Sequence, residues 1–341
     1  MRGGNRRGHV RKTDAVCAGI AAVLLIAALG VAAFALHGWE ARRYAVTASA
    51  DSVSGLRVLP ERRTAAYNGK TYIQRAQLKT YLLMGIDVEG PATGSKSYVG
   101  GGQADVQMLL VVDHANKTWQ VLQLNRDTMA EVQVLGVNGA VVNTVRQQLT
   151  LAHAYGDGLK QSCQNAVTAV SALLGGQTID GYMSVNMDAV AILNDLAGGV
   201  PIEITSDFSA VDPSLPLGGT VTLQGAQALT FVRSRKAVDD ETNAARMARQ
   251  RQYLQALQKQ IAGQDAKFAV RAYDAIADYM VTDIGSGTAT EIGQYMQDYA
   301  EQPLLTIAGT PGLNGEGSTT YEPDADSLQQ TILTLFYQEQ G

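Results

Sequence analysis

The stretch Tyr81–Leu124 opens on YLLMGID (81–87), crosses a glycine-rich segment, and continues as QADVQMLLVVD (103–113), HANK (114–117) and TWQVLQL (118–124). YLLMGI is a short apolar run, the pattern of a strand buried on both faces, and it ends on a carboxylate, Asp87. VQMLLVVD and TWQVLQL flank His114–Lys117, which predicts a hairpin. Gly90–Gly102 reads as a flexible loop at the end of the first strand, with Asp87 at one end and Asp105 at the other. If the two strands are neighbours, these carboxylates could share one hard cation with a diphosphate. Magnesium suits such a place, because phosphate oxygens and water complete its shell. The alternative is that both aspartates cap turns.

Downstream of this core, Arg126-Asp127-Thr128 follows the third strand directly. Asn143–Tyr155 and Lys160–Leu174 are predicted helical, the latter stopped by Gly175-Gly176. Tyr182–Asn186 reads as a strand, Met187–Leu196 as a helix, and Val200–Thr205 as another strand. A short helix over Gly225–Val232 delivers Arg233. Asn243–Gly263 is the longest predicted helix, with Leu254, Leu257 and Ile261 on one stripe. Residues 266–280, 291–299 and 324–337 are also helical in pattern, LLTIAG (304–309) is strand-like, and 310–321 is a glycine-rich loop. Mixed strands with helices between them imply an α/β fold, a mixed central sheet layered by helices.

With 46% hydrophobic and 17% charged residues, the chain has the composition of a globular core, and its 341 residues allow one large domain or two modest ones. Its net charge of −5 hides an asymmetry. Residues 1–14 carry Arg2, Arg6, Arg7, Arg11 and Lys12 against Asp14, so the remainder is more acidic than the whole. Such a body lacks the basic footprint of a nucleic-acid-binding domain. Ala15–Leu36 is a run of about 22 apolar residues, about 33 Å as a helix, enough to cross a bilayer's hydrocarbon core. Basic residues precede it, so the positive-inside bias puts the N-terminus in the cytoplasm. A cleaved secretory signal is the competing interpretation, but the apolar core is long for one and AFALHGW is a poor cleavage site. The expected organisation is a cytoplasmic N-terminus (1–14), a single-pass transmembrane signal anchor (15–36), a stalk (37–79) and an extracytoplasmic catalytic domain (80–341).

The basic residues gather in Ala228–Gln250, ALTFVRSRKAVDDETNAARMARQ. Arg233 and Arg235, two apart in extended backbone, point to one side. Arg246 and Gln250, four apart on a helix, share a face. Guanidinium groups that converge in this way suit a phosphate or pyrophosphate, because the planar fork gives paired, charge-assisted hydrogen bonds. The same residues could instead form a solvated basic helix paired with Asp239, Asp240 and Glu241. His114, His153 and Cys163 lack the partners of a catalytic group, and no zinc spacing, Walker A or nucleophile-elbow motif occurs.

Six motifs stand in an order that resembles the LytR-CpsA-Psr (LCP) family. They are YLLMGID, QADVQMLLVVD, LQLNRDT (122–128), LAGGV (196–200), QGAQALTFVRSR (224–235) and NAARMARQ (243–250). The resemblance covers roughly residues 78–265. It implies an α-β-α sandwich and a transferase of phosphorus-containing groups. Such an enzyme moves a glycopolymer from a polyprenyl-pyrophosphate carrier in the membrane onto a peptidoglycan sugar hydroxyl. By the same resemblance Asp87 and Asp105 hold Mg2+. Arg126, Arg233, Arg235, Arg246 and Gln250 neutralise the pyrophosphate and the charge that develops in transfer. Asp127 and Arg249 are expected to be structural.

The sequence departs from the family pattern at four places. Gln103 stands where RSD has arginine, Asn125 where Ser or Pro precedes the arginine, Val88-Glu89 where Ser-Arg is common, and Asn243 where DFGR has aspartate. A lipid-pyrophosphate hydrolase and a non-catalytic binder of lipid-linked polymer remain as alternative functions. Arg251, beyond Gln250, is expected to point away from the site.

Overall fold

Leu78–Ile86 lies inside a seven-stranded mixed sheet because both of its faces are apolar. Tyr81 and Leu83 enter one buried cluster, and Leu82, Met84 and Ile86 enter another. The computed structural model describes residues 63–340 apart from 96–99, 137, 262–263 and 265–267. The expected cytoplasmic N-terminus and membrane anchor, and most of the stalk, therefore lie outside the described residues.

Leu78–Ile86 pairs antiparallel with Ala104–Asp113 and parallel with Gly181–Asn186. Ala104–Asp113 pairs antiparallel with Thr118–Leu124, closing the predicted hairpin at His114–Lys117. Met280–Thr282 lies antiparallel on the Gly181–Asn186 edge, and Ala300–Glu301 and Leu305–Thr306 lie parallel to Thr118–Leu124. On one face, Met108, Leu110 and Val121 pack under helices Asp188–Leu196, Gly225–Arg233 and Asn243–Ile261. On the other, Leu109, Val111 and Leu122 pack under Lys160–Leu173 and Ala325–Phe336. Helices thus cover both faces of a mixed sheet, the layered α-β-α arrangement expected from the sequence.

The structure corrects three local expectations. Asn143–Tyr155 is not one helix: Val141–Gln148 is a strand paired with Met129–Leu135, and only Leu151–Ala154 is helical. Val141, Val142, Thr144 and Val145 are β-branched, which favours the pleated backbone, and Gly139 supplies a positive φ of 76° beside the turn. Most of that strand is exposed, so no buried stripe marks it in the sequence. The glycine-rich segment at 310–321 is largely a hairpin, Gly309–Leu313 against Thr319–Pro323. Residues 64–74, expected within a stalk, form a hairpin of Thr64–Tyr67 and Lys70–Gln74. Asn68 and Gly69 turn it with φ of 49° and 75°, a backbone that Asn-Gly adopts readily. Tyr337–Glu339 adds a third strand, tying this hairpin to the end of the described chain.

Candidate functional site

The site begins at an irregularity in the central sheet. Register runs from Gly85↔Val106 to Ile86↔Ala104, leaving Asp105 unopposed in a β-bulge. A bulge re-aims a side chain and interrupts the ladder, and here it falls on the acidic residue singled out by sequence. Beyond it, Asp87 N–H donates to Gln103 O at 3.0 Å, and Gln103 N–H donates to Asp87 Oδ1. The two aspartates therefore lie at adjoining strand ends, Asp87 just after one strand and Asp105 at the start of the next. Gly102 sits between them with φ of 81°, and an added Cβ would lie 2.6 Å from Ile86 Cγ2, so only glycine fits the turn.

Asp105 is buried and joins two arginines. One carboxylate oxygen pairs with Arg126, at the end of the third strand, and the other with Arg246 Nη1, on the long helix, at 2.7 Å. Amides complete the contacts. Arg126 Nη2 donates to Gln103 Oε1, and Arg246 Nη2 donates to Asn243 Oδ1 at 2.7 Å. Asn243 Nδ2 in turn donates to Asn125 Oδ1 at 2.7 Å. Asp127 lies 3.4 Å from Arg126 Nε, the supporting position expected for it. Burial pulls both guanidinium pKa values below the usual level; Asp127 opposes the shift at Arg126, while repulsion from Arg235 adds to it at Arg246. Arginine nonetheless stays protonated in proteins, so the pair is a fixed double cation.

Arg126 and Arg246 form part of the wall of a cavity of about 410 Å³ with Arg233, Ser234, Arg235 and Lys236. Four of the five expected pyrophosphate-binding residues are thus brought together. Arg233 is the last residue of a helix rather than part of an extended pair, and Ser234 is the extended residue that turns Arg235 onward. Lys236 went unremarked in the sequence, although the run RSRK places it beside the arginines. Glu89, one of the departures noted above, pairs with Arg233 at 2.7 Å across exposed surface.

Gln250 lies beside this cavity rather than in it. It lines a second, apolar cavity of about 90 Å³ with Met84, Met108, Met183, Met187 and Val232 among its walls. Gln250 Nε2 donates to Val232 O, and its buried Oε1 has no partner among the described residues. The adjoining residues Arg233 and Arg246 line the cationic cavity, so two helices carry both linings. The methionines come from separate elements, and no local pattern in the sequence announced this space. Arg249 is buried and bonds Phe231 O, Ser234 O and Asp239, clamping the connection between the helices. Arg251 lines neither cavity, and its Nη1 donates to buried Gln123 at 2.7 Å.

Among the described residues, no group of three or more His, Cys, Asp or Glu side chains could hold a metal. A cation that arrives with a diphosphate needs few protein ligands, and Asp87 and Asp105 are the carboxylates nearest at hand for one. Their placement on adjacent strand ends supplies the carboxylates, although Asp105 is already paired with two arginines.

The glycine turn is held from behind by His153. A carbonyl can only accept, so His153 Nδ1–H donates to Gly102 O at 2.9 Å, leaving Nε2 toward the Cys163 thiol. Burial pushes the Cys163 thiol up to about 12, which suits a core residue and not a nucleophile. Burial also lowers the His153 pKa below its ordinary 6.5. The unfolded chain therefore binds the proton more readily, and the stability is present above the unfolded pKa and lost as pH falls through the folded one. The thermal midpoint should fall between pH 7.5 and 5.5 by less in His153→Gln than in the parent. Equal slopes would show that His153 is not the buried proton acceptor.

A family model, LytR_cpsA_psr, matches residues 47–336. A Bacillus subtilis protein named polyisoprenyl-teichoic acid–peptidoglycan teichoic acid transferase TagV is 27% identical over 270 residues, covering 75% of this chain and 64% of that protein. A transferase of the same kind, TagU from Halalkalibacterium halodurans, is 28% identical over 204 residues, 60% of each chain. The matched parts span less than two thirds of these two relatives. The crystal structure of Bacillus subtilis TagV superposes with a TM-score of 0.57 at 22% identity, over 76% of this chain and 96% of that one, and shares its fold.

Proposed function

Because the chain belongs to the LytR-CpsA-Psr family, we propose that it transfers a glycopolymer from a polyprenyl-pyrophosphate carrier to a sugar hydroxyl of peptidoglycan. The observation that carries this is the pair of cavities on the same two helices, one walled by cations and the other by apolar side chains. That division matches the two chemistries of a lipid diphosphate. The names of the relatives support a teichoic-acid-like polymer and a peptidoglycan acceptor.

In this mechanism Arg126, Arg233, Arg235 and Arg246 bind the diphosphate, with Lys236 at the rim. The isoprenoid extends past Val232 and Gln250 into the methionine-lined space, where flexible thioether side chains adapt to the chain they meet. The acceptor oxygen attacks the phosphorus that carries the polymer. The bond from that phosphorus to the bridging oxygen breaks, and polyprenyl phosphate leaves. Asp87 or Asp105 takes the hydroxyl proton. Phosphoryl transfer needs alignment and charge compensation above all, and fixed guanidinium groups supply both without reorganising. Magnesium bound at Asp87 and Asp105 would add charge compensation at the diphosphate.

Arg246 is the strongest single test, since it faces both Asp105 and the cavity. Arg246→Ala should slow polymer transfer by about 10- to 100-fold, the scale of a buried charge-assisted contact that strengthens in the transition state. Arg246→Lys should recover only part, because a point charge cannot reproduce the fork. Lys259, exposed on the same helix, is the control, and Lys259→Ala should leave turnover unchanged. Equal small effects at 246 and 259 would remove Arg246 from the reaction and leave it a structural partner of Asp105. Measuring polyprenyl phosphate release with and without acceptor glycan separates transfer from hydrolysis.

The metal role has its own test. Chelating divalent cations should abolish release and weaken binding of inorganic pyrophosphate, with magnesium restoring both. Turnover that continues undiminished in chelator would remove magnesium from the account.

We also place the catalytic body outside the cytoplasm, with residues 15–36 as an anchor that confines enzyme and carrier to one plane. Protease added to intact protoplasts should digest the body and leave a small membrane-bound fragment. A fully protected body would contradict this placement.

A further inference from the structure

Arg246 and the Arg126–Asp127 segment belong to different elements, yet a continuous line of hydrogen bonds joins them. Its polarity is fixed at both ends. Arg246 can only donate, so the atom that meets its Nη2 at 2.7 Å is Asn243 Oδ1. That leaves Asn243 Nδ2 facing Asn125, 2.7 Å away, where it requires an acceptor. Asn125 Oδ1 fills that role, and it also accepts the backbone N–H of Asp127 at 3.0 Å, which holds the amide in that orientation. Asp127 then supports Arg126 through its carboxylate, while Gln103 Oε1 accepts from Arg126 Nη2.

We propose that Asn125 and Asn243 are a matched pair of positioning residues that set the spacing of Arg126 and Arg246 for a diphosphate, with Gln103 as the third amide of the relay. This rests on the pyrophosphate role given to the arginines above. Two features make amides fit here. An amide accepts from a guanidinium on one side and donates on the other, which neither a carboxylate nor a hydrocarbon does. It also adds no negative charge to that of the carboxylates already beside the two buried cations, so the positive charge of Arg235 and Lys236 on the same cavity is left for a ligand.

A carboxylate at position 243 would place an acceptor against Asn125 Oδ1. Rotating the Asn125 amide would not relieve this, because its Nδ2 would then face the Asp127 N–H. Serine at 125 removes the conflict, since a hydroxyl donates or accepts as its neighbour demands. The pair therefore predicts a reversal of sign. In the full-length chain, purified in detergent, Asn243→Asp should weaken inorganic pyrophosphate binding by about tenfold. Asn125→Ser should weaken it by about threefold in the parent, yet strengthen it by a similar factor in the Asn243→Asp background.

Calorimetric titration with inorganic pyrophosphate, together with the thermal midpoint of each of the four proteins, decides the matter. Reversal of the Asn125→Ser effect on affinity supports the relay. Effects of the same sign and size in both backgrounds overturn it. Reversal in the thermal midpoint with affinity unmoved also overturns it, because the pair would then be structural only. A parent chain with no pyrophosphate affinity would instead overturn the diphosphate role of the cavity, and the positioning role with it.

Discussion

Asp105 lies buried between two guanidinium groups of like charge and pairs with both, one through each carboxylate oxygen. Burying charges is costly, and the cost is offset only when each ion finds good partners. Removing this one carboxylate would leave Arg126 and Arg246 facing each other in a partly dry space. The β-bulge that frees Asp105 from the ladder, the glycine turn at 102 and the histidine behind that turn all serve to put the carboxylate there. The arrangement also explains how a ligand could enter. A diphosphate offers arginine the same paired oxygens that Asp105 does, so binding exchanges or shares partners and does not strip the cations bare.

The helices then follow from where the arginines must come from. Arg233 ends one helix and Arg246 begins the next, and the connection between them holds Ala237, Asp239 and Glu241 at φ of 58°, 53° and 58°. Non-glycine residues in that region are strained, and the surrounding structure has to hold them. Buried Arg249 does so from inside, through two backbone carbonyls and Asp239, with Phe208 beneath its guanidinium. Of the neighbouring arginines, one thus faces the cavity and another secures the loop that shapes it.

The central strands were legible in the sequence because both of their faces are buried, and a continuous apolar run leaves few alternatives. The long helix was legible from its stripe, although its polar face carries the chemistry. Val141–Gln148 was not legible as a strand, since an exposed hairpin shows no buried alternation and its polar residues suit a helix equally. Among the site residues, spacing brought out the aspartates and arginines, but it overstated the likeness of Gln250 to them. Gln250 faces the apolar space because a helix turning one step past Arg246 meets a different part of the wall. Arg251 stays out of both linings, but the sequence does not show that it bonds Gln123, buried in a strand. Gln103, Asn125 and Asn243 were visible only as three separate departures from a family pattern. Their connection is a property of the fold, because it joins residues more than a hundred positions apart.

The central claim is that one lipid diphosphate occupies both cavities at once. A crystal structure of the chain with a short polyprenyl pyrophosphate tests it most directly. The account predicts diphosphate oxygens within hydrogen-bonding distance of Arg126 and Arg246, with the isoprenoid running past Gln250 among Met108, Met183 and Met187. A diphosphate bound away from the arginines, or an isoprenoid lying on the outer surface with the methionine-lined space closed, would contradict it.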